Sequence, residues 1–141
     1  KLIEECLIQR NINLQTSLNA TLEQCDPTNY LEQIKAIFHW YTVWFESEDF
    51  NGSMFQKALI EVIKIYPSTL KPATEYKTWL TNLTQNLLRN MDIQNPNHLA
   101  NLIVSILDGM TIQAHINRHT VQLEEYWKRV EHLIQFEKSM A

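Results

Sequence analysis

Apolar side chains recur at three- and four-residue intervals through most of the chain, which is the spacing of helix faces. The pattern is densest over residues 30–45, YLEQIKAIFHWYTVWF. On a helix, the apolar positions of this stretch cover almost the whole circumference. Only Glu32, Lys35, His39 and Thr42 gather on one narrow polar strip. Such a helix has to be wrapped by several others, because a single neighbour covers one flank only. Tyr30, Phe38, Trp40, Tyr41, Trp44 and Phe45 supply its rings. Groups of that size are hard to pack without gaps, so a core built on them is a natural place for a cavity.

Five further helices are predicted around it. The first covers residues 1–22, with Ile3, Leu7, Leu14, Leu18 and Leu22 on one stripe that Arg10 and Asn11 interrupt. It has no capping residue at its start, as expected of a domain cut from something longer. Asp26-Pro27 marks a restart, an acidic N-cap followed by proline at the first helical position. After the aromatic helix, Asn51-Gly52 makes a turn. Ser53 and Gln56 form a capping box for a short helix that buries Phe55, Leu59, Val62 and Ile63. Pro67 and Pro72 bracket a connection to a helix reaching residue 91, with Tyr76, Leu80, Leu83, Leu87 and Met91 inward. Asn95-Pro96 opens a helix to residue 117 whose apolar arc is unusually wide, running from Leu99 to Ile116. Gly109 in its middle costs about 1 kcal/mol against alanine, a cost usually offset by close approach of another backbone. The last helix, residues 120–139, carries Leu123, Tyr126, Trp127, Val130, Leu133 and Ile134 on one face. Two adjacent amphipathic helices, one of them apolar on two sides, predict half of a four-helix bundle completed by a second copy.

Composition narrows the class. A chain of 141 residues suits one domain, residues 1–141, and buries roughly 68–70% of its unfolded surface. Twelve Lys and Arg against sixteen Asp and Glu give a net charge of −4, and only Lys128-Arg129 are adjacent cations. That is the wrong footprint for gripping phosphates, so nucleic-acid binding by this chain alone is not expected. No apolar run looks long enough to span a bilayer and no signal peptide is visible, so a cytoplasmic, non-membrane protein is expected. Cys6 and Cys25, if on one helix, stand about 28 Å apart at the helical rise and cannot bridge. With two glycines and no hairpin signal, an all-α fold of about six helices is predicted.

Residues 49–59, DFNGSMFQKAL, carry Phe50, Gly52, Ser53, Phe55 and Ala58 at set spacings. They resemble the Phe-x-Gly-Cys/Ser-x-Phe/Leu-x-x-Ala stretch of the TetR/AcrR family of bacterial transcriptional regulators. ILDGMTIQAHI, residues 106–116, is similar to that family's penultimate-helix segment, with Asp108-Gly109 in place. Serine stands at Ser53 where cysteine is common. The resemblance covers the family's effector domain over essentially the whole chain. It implies a small-molecule pocket among the first, second, fourth and fifth helices and a homodimer through the last two. It also implies that DNA is reached only through an N-terminal helix-turn-helix unit that this chain lacks.

Site residues follow from ring density and from the wide apolar arc. Phe38, Trp40, Tyr41, Trp44, Phe55, Trp79 and Leu83 are the expected pocket wall, with His39 or Asn82 orienting an apolar or aromatic ligand. Leu102, Ile103, Ile106, Gly109, Met110 and Gln113 are the expected dimer seam, with Leu123, Tyr126, Trp127, Val130 and Ile134. Other chemistry finds little support. His115 and His119 are four apart with Glu124 nearby, but the helix is expected to break at Asn117-Arg118, so no metal site is predicted. His39 has no Ser or Cys nucleophile in a short local signature, and no glycine-rich phosphate loop exists. Asp108 reads as a surface or interface acid. No catalytic residue and no cofactor are expected. The alternative to a regulator's effector domain is a stand-alone helical domain that binds another protein or a small molecule.

Overall fold

The computed structural model describes residues 1–140, and among them six α-helices and no strand are found. The helices are α1 (Leu2–Glu23), α2 (Tyr30–Glu46), α3 (Met54–Lys57), α4 (Leu70–Arg89), α5 (Pro96–Ile116) and α6 (Leu123–Ser139). Between α3 and α4 lie a π-helical turn, Ala58–Val62, and a 3₁₀ turn, Pro67–Thr69; a second 3₁₀ turn, Arg118–Thr120, precedes α6. The all-α class agrees with the chain's composition, since strand formers occur only at helical spacings.

The aromatic helix α2 is enclosed as its pattern requires: α1, α4, α5 and α6 all pack against it. Ile34, Ile37, Phe38, Trp40, Tyr41 and Phe45 are buried, while Glu32, Lys35 and His39 of the polar strip face water. Its start differs in detail from the sequence expectation. Asp26 is not the cap; its carboxylate accepts from the backbone N–H and hydroxyl of Thr28, making a turn. Asn29 caps instead, accepting from the Glu32 N–H at 3.0 Å.

The short helix after Gly52 departs further. Ser53 Oγ accepts from the Gln56 N–H at 3.2 Å, half of the expected capping box. The Gln56 side chain does not return to Ser53; its Nε2 donates to the Asp108 carbonyl of α5 at 3.1 Å. From Ala58 the helix widens into the π turn, and the extra residue rotates the next side chains out of the α-helical register. Ala58, one turn after Phe55, is buried; Leu59, expected inside, is partly exposed beside a cavity, and Val62 and Ile63 are half-buried. Two residues of the 49–59 pattern have clear structural tasks. Phe50 packs edge-on to Trp44 with centroids 5.0 Å apart. Gly52 sits at φ +78°, and a Cβ there would come within 3.0 Å of the His115 ring.

Helices α4 and α5 make the most extensive pairing in the bundle. Tyr76, Leu80, Leu87 and Leu88 of α4 are buried with Leu99, Ile103, Leu107, Met110 and Ala114 of α5 in one continuous core. α6 joins through α2, with the Trp127 ring 5.5 Å from Phe38. α5 departs from the sequence reading in being apolar and long enough, by composition, to cross a membrane. Within the fold it is a core helix on one side, with 44% of its most apolar window buried.

Candidate ligand-binding cavity

The dense rings of α2 do leave a gap. A cavity of about 70 Å³ lies between Leu14 of α1, Tyr41 and Trp44 of α2, Phe55 and Gln56 of α3, Ala73, Tyr76 and Lys77 of α4, and Asp108 and Thr111 of α5. Ser53, Leu59 and Thr74 complete the lining. Leu14, Tyr41, Ala73, Tyr76 and Thr111 are buried and form the floor. Lys77 and Leu59 are exposed, so the mouth opens between α4 and the π turn. Apolar cavities of about 150 Å³ take up benzene, and drug-sized ligands fill about 300–1,000 Å³. As it stands this one admits a few waters or a ligand of a few heavy atoms; anything larger needs the walls to move.

The floor is aromatic and carries one polar link. The hydroxyls of Tyr41 and Tyr76 hydrogen-bond to each other at 2.9 Å. The Phe55 ring stacks on Tyr76, with centroids 5.5 Å apart and planes 10° apart, and Tyr41 meets Trp44 at 77°. Burial holds both phenols well above their ordinary pKa, so the floor stays neutral. At the rim, Asp108 Oδ2 lies 3.4 Å from Lys77 Nζ. Burial pushes the Asp108 carboxyl up and the Lys77 ammonium only partly offsets it.

The sequence-predicted pocket residues divide. Tyr41, Trp44 and Phe55 line the cavity together. Phe38 is fully buried against Trp127 and does not line the cavity. Trp40 turns to α1, where its indole N–H donates to Ser17 Oγ at 2.9 Å. His39 and Asn82 are exposed and cannot orient a ligand in this cavity. Trp79 packs on Tyr76 outside it, and Leu83 borders a separate surface cleft by Cys25. Ring density alone misses Tyr76, Asp108 and Thr111. The available signal is an acid within the apolar arc of α5, three residues from a threonine that shares its side of the helix.

The expected dimer residues divide as well. Ile103, Met110, Trp127, Val130 and Ile134 lie inside the protomer core and have no surface to present to a partner. Leu102, Gly109 and Gln113 are exposed, and Ile106, Leu123 and Tyr126 are half-buried. A continuous outer stripe runs down α5 through Leu102, Ser105, Gly109, Ile112 and Ile116, with Leu102 47%, Ile112 51% and Ile116 77% exposed. Ile112 and Ile116 are absent from the seam expected from sequence, although they follow Gly109 at helical spacing. Among the described residues no backbone approaches Gly109; a Cβ there would meet nothing within 4 Å. His115 and His119 border one surface cleft, and among the described residues no three His, Cys, Asp or Glu side chains are placed to hold a metal ion.

The chain matches no family model, no curated protein and no solved structure.

Proposed function

We propose that the chain is the effector-sensing and dimerisation domain of a TetR-like bacterial transcriptional regulator, a repressor working in the cytoplasm. It acts as a homodimer and reaches DNA through an N-terminal helix-turn-helix unit of a longer parent protein. The observation that carries this is one aromatic cavity lined from α1, α2, α4 and α5, in a bundle whose α5 leaves an apolar stripe bare. The 49–59 pattern adds support, because Gly52 and Phe50 seat α3 so that Phe55 reaches the cavity.

Ligand binding acts through α1. Leu14 of α1 lines the cavity, and the Trp40–Ser17 hydrogen bond ties α1 to α2 three residues further on. A ligand that fits one arrangement of these helices better than another moves α1, and with it the spacing of the two DNA-reading heads. The shift is bounded by the ligand's differential affinity; going from 1:99 to 99:1 takes about 5.5 kcal/mol. The π turn is the wall best able to yield, since it packs Leu59 on the cavity and leaves Ile60 in water.

Calorimetric titration and thermal-shift screening of the purified chain with small apolar and aromatic ligands test the pocket. Saturable binding that raises Tm and is lost in Tyr41→Ala is expected; no binding across the panel removes the effector reading. The α5 stripe equally fits a stand-alone domain that meets a different protein. That reading is favoured if the purified chain sediments as a monomer and no helix-turn-helix is encoded upstream.

A further inference from the structure

We propose that Asn51 is a self-modification site: the Gly52 backbone nitrogen, helped by Lys57, displaces its side-chain amide, and an isoaspartyl linkage replaces the ordinary peptide bond. Asn51 is the only asparagine in the chain followed by glycine, and it is exposed in the turn between α2 and α3. Among the described residues no hydrogen bond holds the Asn51 side chain or the Gly52 N–H, so both groups are free to meet. The fold also keeps glycine at this position. Its φ is +78°, and the His115 ring stands 3.0 Å from where a Cβ would be. The least hindered backbone nitrogen the chain can offer is therefore fixed next to Asn51.

Lys57 supplies what the dipeptide alone lacks. From α3 its ammonium donates to the Asn51 carbonyl oxygen, in the same peptide group whose nitrogen attacks. Loss of the Gly52 amide proton puts negative charge on that oxygen, and a cation held there stabilises it. The nitrogen then adds to Asn51 Cγ, the Cγ–Nδ2 bond breaks, and ammonia leaves with the proton. A succinimide ring remains. Water opening it at Cγ restores the main chain and leaves aspartate; opening at the original main-chain carbonyl leaves isoaspartate. Lys57 polarises the second carbonyl, which favours the isoaspartyl product. In sum one water is taken up and one ammonia released, with no change of oxidation state. The product has a new carboxylate and one more carbon in the main chain, just before the glycine that packs on His115. The chain's other glycine is an internal comparison. Asp108-Gly109 is also a succinimide-forming pair, but it lies inside α5, where helical hydrogen bonding holds the Gly109 N–H.

The test is to age the purified full chain at physiological pH and temperature and follow Asn51 by peptide mass mapping, with isoaspartate located by electron-transfer fragmentation. A gain of about 1 Da at Asn51 is expected over days, mainly as isoaspartate, with Asp108 unchanged. The free peptide of residues 49–55, which lacks Lys57, is the reference; the folded chain should convert at least as fast. Lys57→Met should slow conversion at least about threefold and lower the isoaspartate share, and Lys57→Arg should restore both. The aged chain should melt a few degrees below the fresh one, and Asn51→Gln should show no such drift. Asn51 left intact while the peptide converts, or converting as fast in Lys57→Met, overturns the assignment. Isoaspartate at Asp108 in place of Asn51 overturns it as well.

Discussion

Helices α2 and α5 are the two most apolar long helices of this chain, and the fold uses them in opposite ways. α2 is covered by four neighbours, and Val43 is the one apolar residue among its exposed positions. α5 is gripped by α4 and α2 along Ile103, Leu107, Met110 and Ala114, while Leu102, Ile112 and Ile116 on its far side are exposed. Apolar circumference therefore announces that a helix will be covered, and says nothing about whether its own chain does the covering. In α2 the surplus of rings packs internally and leaves a cavity. In α5 the surplus faces outward as exposed apolar surface.

The sharpest way to break this contrast is a pair of charges two residues apart. Met110→Glu puts an unpaired carboxylate into a site that is 1% exposed, and should cost about 4–5 kcal/mol or abolish folding, seen in urea unfolding and circular dichroism. Ile112→Glu, on the bare side, should keep native helix content and change the chain's own stability by no more than about 0.5 kcal/mol. Equal damage from both would mean that α5 is enclosed like α2. Within α2, Phe38→Ala should cost about 3–5 kcal/mol, because a fully buried ring packed on Trp127 leaves a void.

The cavity floor gives a smaller effect with a pH signature. Tyr41→Phe or Tyr76→Phe removes one partner of a buried hydroxyl pair and should cost about 1 kcal/mol, the double variant costing less than both together. Burial raises both phenol pKa values, so the folded chain keeps protons that the unfolded chain releases. That contribution is complete below the ordinary phenol range near pH 10 and is lost as pH rises from there toward the folded-state values. Alkaline unfolding should thus be delayed in the double Phe variant. Gly109→Ala carries the smallest expected change: a gain of about 1 kcal/mol in the isolated chain from helix propensity, since the added methyl meets nothing. Weaker self-association in the same variant would place the partner's backbone against Gly109.

Much of this is legible from spacing. The enclosure of α2 follows from its near-continuous apolar circumference, and ring density finds Tyr41, Trp44 and Phe55 as cavity residues. The facing of α5 is not legible. A wheel shows Ile103 and Met110 as apolar just as it shows Ile112, and only the position of α4 decides which half is inside. The π turn leaves no mark in sequence, so the register of the residues that follow it is not foreseeable. Asp26 and Asn29 are both good caps three residues apart, and the turn closed by Thr28 decides between them. Tyr76 reads only as core and Asp108 only as a surface or interface acid, because their meeting at the cavity depends on how α4 lies against α5.

Sedimentation equilibrium on the unmodified chain and on Ile112→Glu tests most directly whether the bare side of α5 is a seam between two copies. The unmodified chain should run at twice its 16.7 kDa mass and the variant at that mass alone, with native helix content in both. A monomer at micromolar concentration, or a dimer that Ile112→Glu leaves intact, would contradict the account.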